Sequence, residues 1–159
     1  KRVGVIGCGR IGSRVAKLAR AFEAEVVGFD AFVKEHSDMK MVPLEELLRT
    51  SDVITLHAPM TPENRHMIGR EQFAMMKKGS WLINAARGGL VDEEALIEAL
   101  ETGVLSGAAL DCFEIEPYTG RLLEMENVVL SPHMGTSTKE CRTRMERDAI
   151  ANLLEALKY

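Results

Sequence analysis

An arginine, a glutamate and a histidine in the second half of the chain carry side chains that could do chemistry together. Arg87 follows the apolar run Ser80 to Asn84, Glu116 lies just beyond Ser106 to Leu110, and His133 comes directly after Asn127 to Leu130 in the turn Ser131-Pro132-His133. An imidazole titrates near neutral pH and can take or give a proton. A carboxylate beside it can hold its tautomer and stabilise its charged form. A guanidinium offers a planar fork that fits a carboxylate and can polarise an adjacent carbonyl oxygen. Singly, each has an ordinary explanation: a surface charge, a solvated turn residue, a structural histidine. All three after strand-like runs make a common rim, and a shared chemical task, the better reading.

The first strand-like run, Arg2 to Ile6, leads into Gly7-Cys8-Gly9-Arg10-Ile11-Gly12, a G-x-G-x-x-G loop. In such a loop Gly7 permits the tight turn, Gly9 lets the backbone approach a pyrophosphate, and Gly12 allows the following helix to pack closely on the strand. The helix N-terminus then presents free N–H groups and a positive dipole end to the anion. Ile11, Val15, Leu18, Ala19 and Phe22 give that helix its apolar face. A second strand, Glu25 to Phe29, ends in Asp30, 30 − 12 = 18 residues after the last loop glycine. That spacing suits an acid that binds ribose hydroxyls and repels a 2′-phosphate, so NAD is favoured over NADP, with Lys34 the nearest opposing charge. Cys8 is read as a small residue that fits the loop, without chemistry of its own, although a helix N-terminus could favour its thiolate.

The elements that must position these residues alternate. Pro43 to Thr50 and Arg70 to Met76 read as short helices, Val53 to His57 and Ser80 to Asn84 as strands. Asp92 caps a helix with Glu93 and Glu94 in its first turn and Ala95, Leu96, Ala99 and Leu100 facing inward. Strands Ser106 to Leu110 and Asn127 to Leu130 follow. A long helix from about Thr136 has Cys141, Met145, Ala149, Leu153 and Ala156 on one face. The segment from Asp30 to Pro43 leaves room only for an abbreviated unit. The alternation predicts an α/β fold, a doubly wound parallel sheet of Rossmann type in a single domain over residues 1–159, with ligands at the carboxyl ends of the strands.

Composition agrees. A chain of 159 residues can bury about 70% of the surface it exposes when unfolded. A net charge of −4 without a basic run argues against nucleic-acid binding, and no apolar stretch is long enough for a membrane. Three cysteines, Cys8, Cys112 and Cys141, lack metal-ligand spacing, so no metal centre is expected, and their odd number suits a reducing cytoplasm.

Taken together, the chain resembles the NAD-binding domain of the D-isomer-specific 2-hydroxyacid dehydrogenases. The loop Gly7–Gly12, Asp30, His57-Ala58-Pro59, Asn84–Leu90 with Val91-Asp92-Glu93, Asp111–Pro117 and Pro132–Gly135 running into Ser137–Glu140 carry the resemblance. It implies a small-molecule 2-hydroxy acid substrate and NAD as cofactor, with Arg87, Glu116 and His133 catalytic. It further implies contacts to NAD from Gly7, Gly9, Arg10, Ile11 and Gly12 at the pyrophosphate and Asp30 at the ribose, and from Ala58 and Pro59 near the adenosine. Ala85, Ala86 and Arg87 would lie near the nicotinamide, Asp111 at the carboxamide, and His133, Met134, Gly135 and Thr136 around the nicotinamide side. A homodimer through this domain is the expected assembly. The family completes its cleft with a substrate domain, which the segment Lys1 to Tyr159 is expected to lack, so the chain alone should bind NAD without turnover. The alternative is a non-catalytic NAD-sensing module of the corepressor type. A formate-oxidising enzyme is disfavoured, because that branch has glutamine where this chain has Glu116.

Overall fold

The computed structural model describes residues 1–158. Its frame is one parallel sheet of seven strands. They are β1 (Arg2–Ile6), β2 (Glu25–Phe29), β3 (Lys40–Met41), β4 (Val53–Leu56), β5 (Ser80–Asn84), β6 (Leu105–Leu110) and β7 (Val128–Leu130), in the order β3-β2-β1-β4-β5-β6-β7. Every pairing is parallel, as expected when each strand is separated from the next by a crossover. The order reverses between β1 and β4, and the loops leaving these two strands open a crevice at their carboxyl ends.

Five helices accompany the sheet: α1 (Arg10–Ala21), α2 (Leu44–Thr50), α3 (Arg70–Met75), α4 (Glu93–Glu101) and α5 (Lys139–Ala156). Because successive strand residues point to opposite faces, Ile6 and Val27 join a large core with Leu47, Ile54, Leu82 and Leu96 under α2 to α4, whereas Val5 and Val26 pack with Cys8, Ala16 and Met39 under α1. Each fully buried leucine or isoleucine of the larger core contributes about 1.5–3 kcal/mol by leaving water. Ala95, Leu96, Ala99 and Leu100 face inward as expected, and the Asp92 carboxylate caps α4 by accepting from the Ala95 N–H at 3.1 Å. The region after Asp30 is indeed abbreviated, reduced to the two residues of β3.

Two helices differ from expectation. In α1 the residues turned inward are Gly12 and Ala16, with Val15 and Ala19 half-buried, while Ile11, Leu18 and Phe22 are exposed. The cause is the close approach at Gly12, where a Cβ would lie 2.0 Å from the Gly7 carbonyl oxygen. That contact fixes the rotation of the helix so that small residues meet the sheet. The last helix starts at Lys139 rather than near Thr136, because the Thr138 hydroxyl caps it by accepting from the Cys141 N–H at 3.2 Å. It buries no residue among those described, so its apolar side faces outward.

Candidate active site and nucleotide cradle

Gly7 takes φ +92°, and a Cβ there would sit 2.3 Å from the Ala58 nitrogen, so the loops after β1 and β4 touch. At Gly9 a Cβ would meet nothing within 4 Å. This open side faces the N-terminus of α1, whose first N–H groups have no side-chain cap. A pyrophosphate needs that combination of free donors and unobstructed backbone. From there a groove of about 370 Å³ bounded by Gly9, Arg10, Arg14 and His57 adjoins one of about 410 Å³ bounded by Ala58, Pro59, Ala85 and Arg87, with Ile11 and His57 common to both. His57 belongs to the His57-Ala58-Pro59 turn quoted above but was given no role of its own there. Its Nε2 pairs with the Thr55 hydroxyl at 2.9 Å, and burial pushes the imidazole down, favouring the neutral ring.

Asp30 stands at the end of β2 and binds its own surroundings tightly. Its carboxylate accepts from the N–H groups of Cys8 (2.8 Å), Phe32 (2.8 Å) and Val33 (3.1 Å). Partial burial pushes its carboxyl up, but these three donors and nearby Lys34 outweigh that and hold it below the ordinary carboxylate range. The Cys8 side chain turns into the smaller core, where burial pushes its thiol up to about 11, so the loop contains no thiolate. Cys112 is likewise buried and pushed up to about 11.

Of the three rim residues, Glu116 and His133 are in direct contact. His133 Nδ1 lies 3.0 and 2.9 Å from the two carboxylate oxygens of Glu116. Since a carboxylate only accepts, Nδ1 carries the proton and Nε2 is left free. Glu116 also accepts from the Phe113 N–H at 3.0 Å, and that bond, followed by the one from His133, holds its carboxyl below the ordinary range. The His133 backbone adopts φ +50°. Its loop is held by Asp111, which accepts from the Ser131 hydroxyl (2.6 Å) and the N–H groups of Met134 (2.9 Å) and Gly135 (2.9 Å). Burial pushes the Asp111 carboxyl up, but these donors and the nearby His133 ring bring it below the ordinary range. Met134, Gly135 and Thr136 are exposed beside it.

Arg87 is exposed, its guanidinium donating to the Ala86 carbonyl at 2.6 Å. Below it lies Asn84, 1% exposed, another residue whose role the sequence did not announce. Its amide donates to the Arg87 carbonyl at 2.9 Å and accepts from the Ala86 N–H at 3.1 Å, which shapes the turn. The next residue, Gly88, packs so closely on the Glu116 loop that a Cβ would lie 1.9 Å from the Phe113 carbonyl carbon. The Arg87 and Glu116 loops are therefore in direct backbone contact. An apolar cleft of about 470 Å³, bounded by Phe113, Tyr118, Leu123 and Leu130, also has Glu116 in its wall.

Comparisons with known proteins agree with this geometry. The family described as D-isomer specific 2-hydroxyacid dehydrogenase, NAD binding domain, matches residues 1–135. The D-3-phosphoglycerate dehydrogenase of Methanocaldococcus jannaschii is 49% identical over 148 residues, covering 89% of this chain and 28% of that protein. The hydroxypyruvate reductase of Thermotoga maritima is 42% identical over 163 residues, covering 99% of this chain and 53% of that protein. In the crystal structure of the Lactobacillus delbrueckii D-isomer specific 2-hydroxyacid dehydrogenase in its NAD complexed form, the match has a TM-score of 0.91 at 34% identity, over 99% of this chain and 53% of that one. The chain thus spans about half or less of the length of these relatives, and nothing in them favours the corepressor-type reading. With the family model spanning residues 1–135 and a glycine cradle at the carboxyl ends of the strands, the chain belongs to the D-isomer specific 2-hydroxyacid dehydrogenases, as their NAD-binding domain.

Proposed function

We propose that the protein containing this chain interconverts a D-2-hydroxy acid and its 2-keto acid, with Arg87, Glu116 and His133 as the catalytic residues. The observation that carries the proposal is the pairing of His133 Nδ1 with both oxygens of Glu116, which leaves Nε2 directed away as a free base. In the oxidising direction His133 Nε2 takes the proton of the substrate hydroxyl, and Glu116 stabilises the imidazolium that forms. Arg87 binds the substrate carboxylate and, in reverse, polarises the keto oxygen. NAD, when bound, accepts the hydride that leaves the carbon bearing that hydroxyl.

The cofactor contacts proposed are Gly7 to Gly12 at the pyrophosphate, Asp30 at the ribose, Ala58 and Pro59 near the adenosine, and Ala85, Ala86 and the His133–Thr136 loop near the nicotinamide. Asp111 keeps Oδ2 with a single donor and so retains an acceptor for the carboxamide. The similarity to a phosphoglycerate dehydrogenase makes 3-phosphoglycerate the first substrate to test. The remainder of the cleft is assigned to a substrate domain contributed from outside residues 1–159.

Self-association is proposed through the face of β5 to β7 that α1 leaves uncovered, where Trp81 and Val129 are exposed, with sedimentation analysis as its test. The three free cysteines fit a reducing compartment such as the cytoplasm. Among the described residues no helix is long and apolar enough to cross a membrane.

The deciding experiment is NADH oxidation by the protein with its substrate domain in place, using phosphohydroxypyruvate, hydroxypyruvate and glyoxylate. His133→Ala is expected to lower kcat about 10²–10⁴-fold, the usual contribution of a general acid–base, with NADH affinity nearly unchanged. A His133→Ala variant that turns over at the parent rate refutes the assignment.

A further inference from the structure

At the loop that carries Glu116, four charged or titratable side chains meet that the mechanism does not use: Arg65, His66, Glu93 and Glu114. Glu114 Oε1 accepts from Arg65 Nη2 at 3.0 Å and is bonded to His66 Nε2. The Glu114 N–H donates to Glu93 Oε1 at 2.8 Å. Burial, together with the charge of Glu114, pushes the Glu93 carboxyl up, and the N–H from Glu114 and the proximity of His66 only partly offset this. Residues 65–68 are in turn stitched to the segment that follows Arg87. His66 N–H donates to Gly89 O (2.8 Å), Ile68 N–H to Leu90 O (3.0 Å), and Asp92 N–H to Ile68 O (3.0 Å). His66 itself sits at φ +53°, a left-handed backbone that directs its ring toward Glu114.

We propose that Glu114, gripped by Arg65 and His66, is a positioning residue that aims Glu116 at His133 and keeps the Glu116 loop in register with the Arg87 loop. The proposal rests on the reading above that His133 is the acid–base. Glu114 and Glu116 are two residues apart in a loop with no ladder of its own. Their side chains reach different partners, Glu114 the cluster and Glu116 the imidazole. Holding the first, at both its side chain and its N–H, fixes the direction of the second. Without that grip the loop can rotate about the Phe113 contact with Gly88, and Glu116 loses its two-oxygen hold on the ring.

The test reads the His133 ring by ¹⁵N spectroscopy of this chain at alkaline pH, where imidazoles are neutral. The parent is expected to show a single Nδ1–H tautomer at His133, dictated by Glu116. Glu114→Ala and His66→Leu should each move it toward the Nε2–H form that unconstrained imidazole prefers. Glu114→Gln keeps an acceptor for both donors and should retain the parent pattern. In the protein with its substrate domain, Glu114→Ala should lower kcat about 10–100-fold with the affinity for NADH unchanged, as expected for a displaced catalytic group. An unchanged His133 spectrum in His66→Leu and in a folded Glu114→Ala overturns the proposal, and if Glu114→Ala does not fold, His66→Leu alone decides. The spectrum needs no substrate, so a failure of the acid–base reading shows itself separately, as turnover that survives His133→Ala.

Discussion

At the scale of single residues, Asp30 has a structural task besides its proposed contact with the ribose. Its carboxylate closes the phosphate loop through Cys8 and the following turn through Phe32 and Val33. Removing a partner that satisfies three N–H groups costs more than the loss of one ligand contact. Asp30→Ala is therefore expected to weaken NADH and NADPH together, by about tenfold or more on the basis of about 1.5–3 kcal/mol for a hydrogen bond to a charged group. Isothermal titration with both nucleotides checks this, and tighter NADPH binding in the variant would contradict it. Glu116→Gln keeps the shape of the pair but removes the charge that stabilises the imidazolium, so the pH–rate profile of the complete protein should move toward acid. The candidate rim residues and Asp30 could be picked out in the sequence because each follows a strand with a chemically distinctive side chain. The roles of Asn84, His57 and Glu114 could not. An amide, a ring or a carboxylate that organises a loop from beneath has the same residue type as one that simply faces water, and only the fold tells which it is.

At the scale of elements, the close contacts between loops set what substitutions the site tolerates. Gly88→Ala would place a methyl group 1.9 Å from the Phe113 carbonyl carbon, which is backbone and has nowhere to retreat. The variant is expected to lose about 1–3 kcal/mol of stability, typical of overpacking, and more than that in catalysis, because the displacement separates Arg87 from Glu116. Thermal melts and kcat/KM measured together check this, and a loss confined to stability would show that the two loops need not touch. The alternation of strands and helices, the parallel sheet and the Asp92 cap followed from periodicity and turn chemistry. The inward face of α1 did not, since hydrophobicity points to Leu18 and Phe22 while the steric demand at Gly12 turns Ala16 to the sheet. In a helix that must lie this close to a strand, size outranks hydrophobicity, and a pattern scored by hydrophobicity alone rotates the helix wrongly.

At the scale of the whole molecule, Asp52 ties the amino-terminal edge of the sheet together. It accepts from the Arg2 N–H at 2.8 Å and from Lys77 Nζ at 2.6 Å, and these bonds, that of Lys77 foremost, bring its carboxyl down to about 2. A depressed carboxyl stabilises the fold above its unfolded pKa, and that stability is lost as pH falls toward 2. Asp52→Asn is thus expected to lower the melting temperature at pH 7 by about 2–8 °C, from about 1–2 kcal/mol of charge-assisted bonding. The gap to the parent should close as the pH is lowered through the acid range. Melts across that range check it, and a gap that persists to the acid end would assign the effect to packing. At the same scale, the 159-residue chain alone is expected to bind NADH yet show no turnover of 2-keto acids. Among the described residues nothing closes over Arg87 and His133, which are both exposed, and water in an open site weakens their electrostatic action.

The contact between Gly7 and Ala58 has a consequence for the order in which the molecule comes into being. The partners of the glycine loop, namely the Phe29 carbonyl that accepts from the Gly7 N–H, the Asp30 carboxylate and the Ala58 backbone, lie within the first 60 or so residues, and β1 already has both of its sheet neighbours, β2 and β4, at that length. The residues proposed to handle the proton and the substrate carboxylate all come later, from Arg87 onward. A ribosome adding about 5–20 residues per second therefore delivers a half-sheet with its anion cradle several seconds before it delivers the rim. During that interval NAD has a place to bind and nothing with which to react. A nucleotide present at synthesis can act on the nascent half-sheet as a folding ligand, stabilising what it binds by mass action before the chain has any catalytic residue to offer.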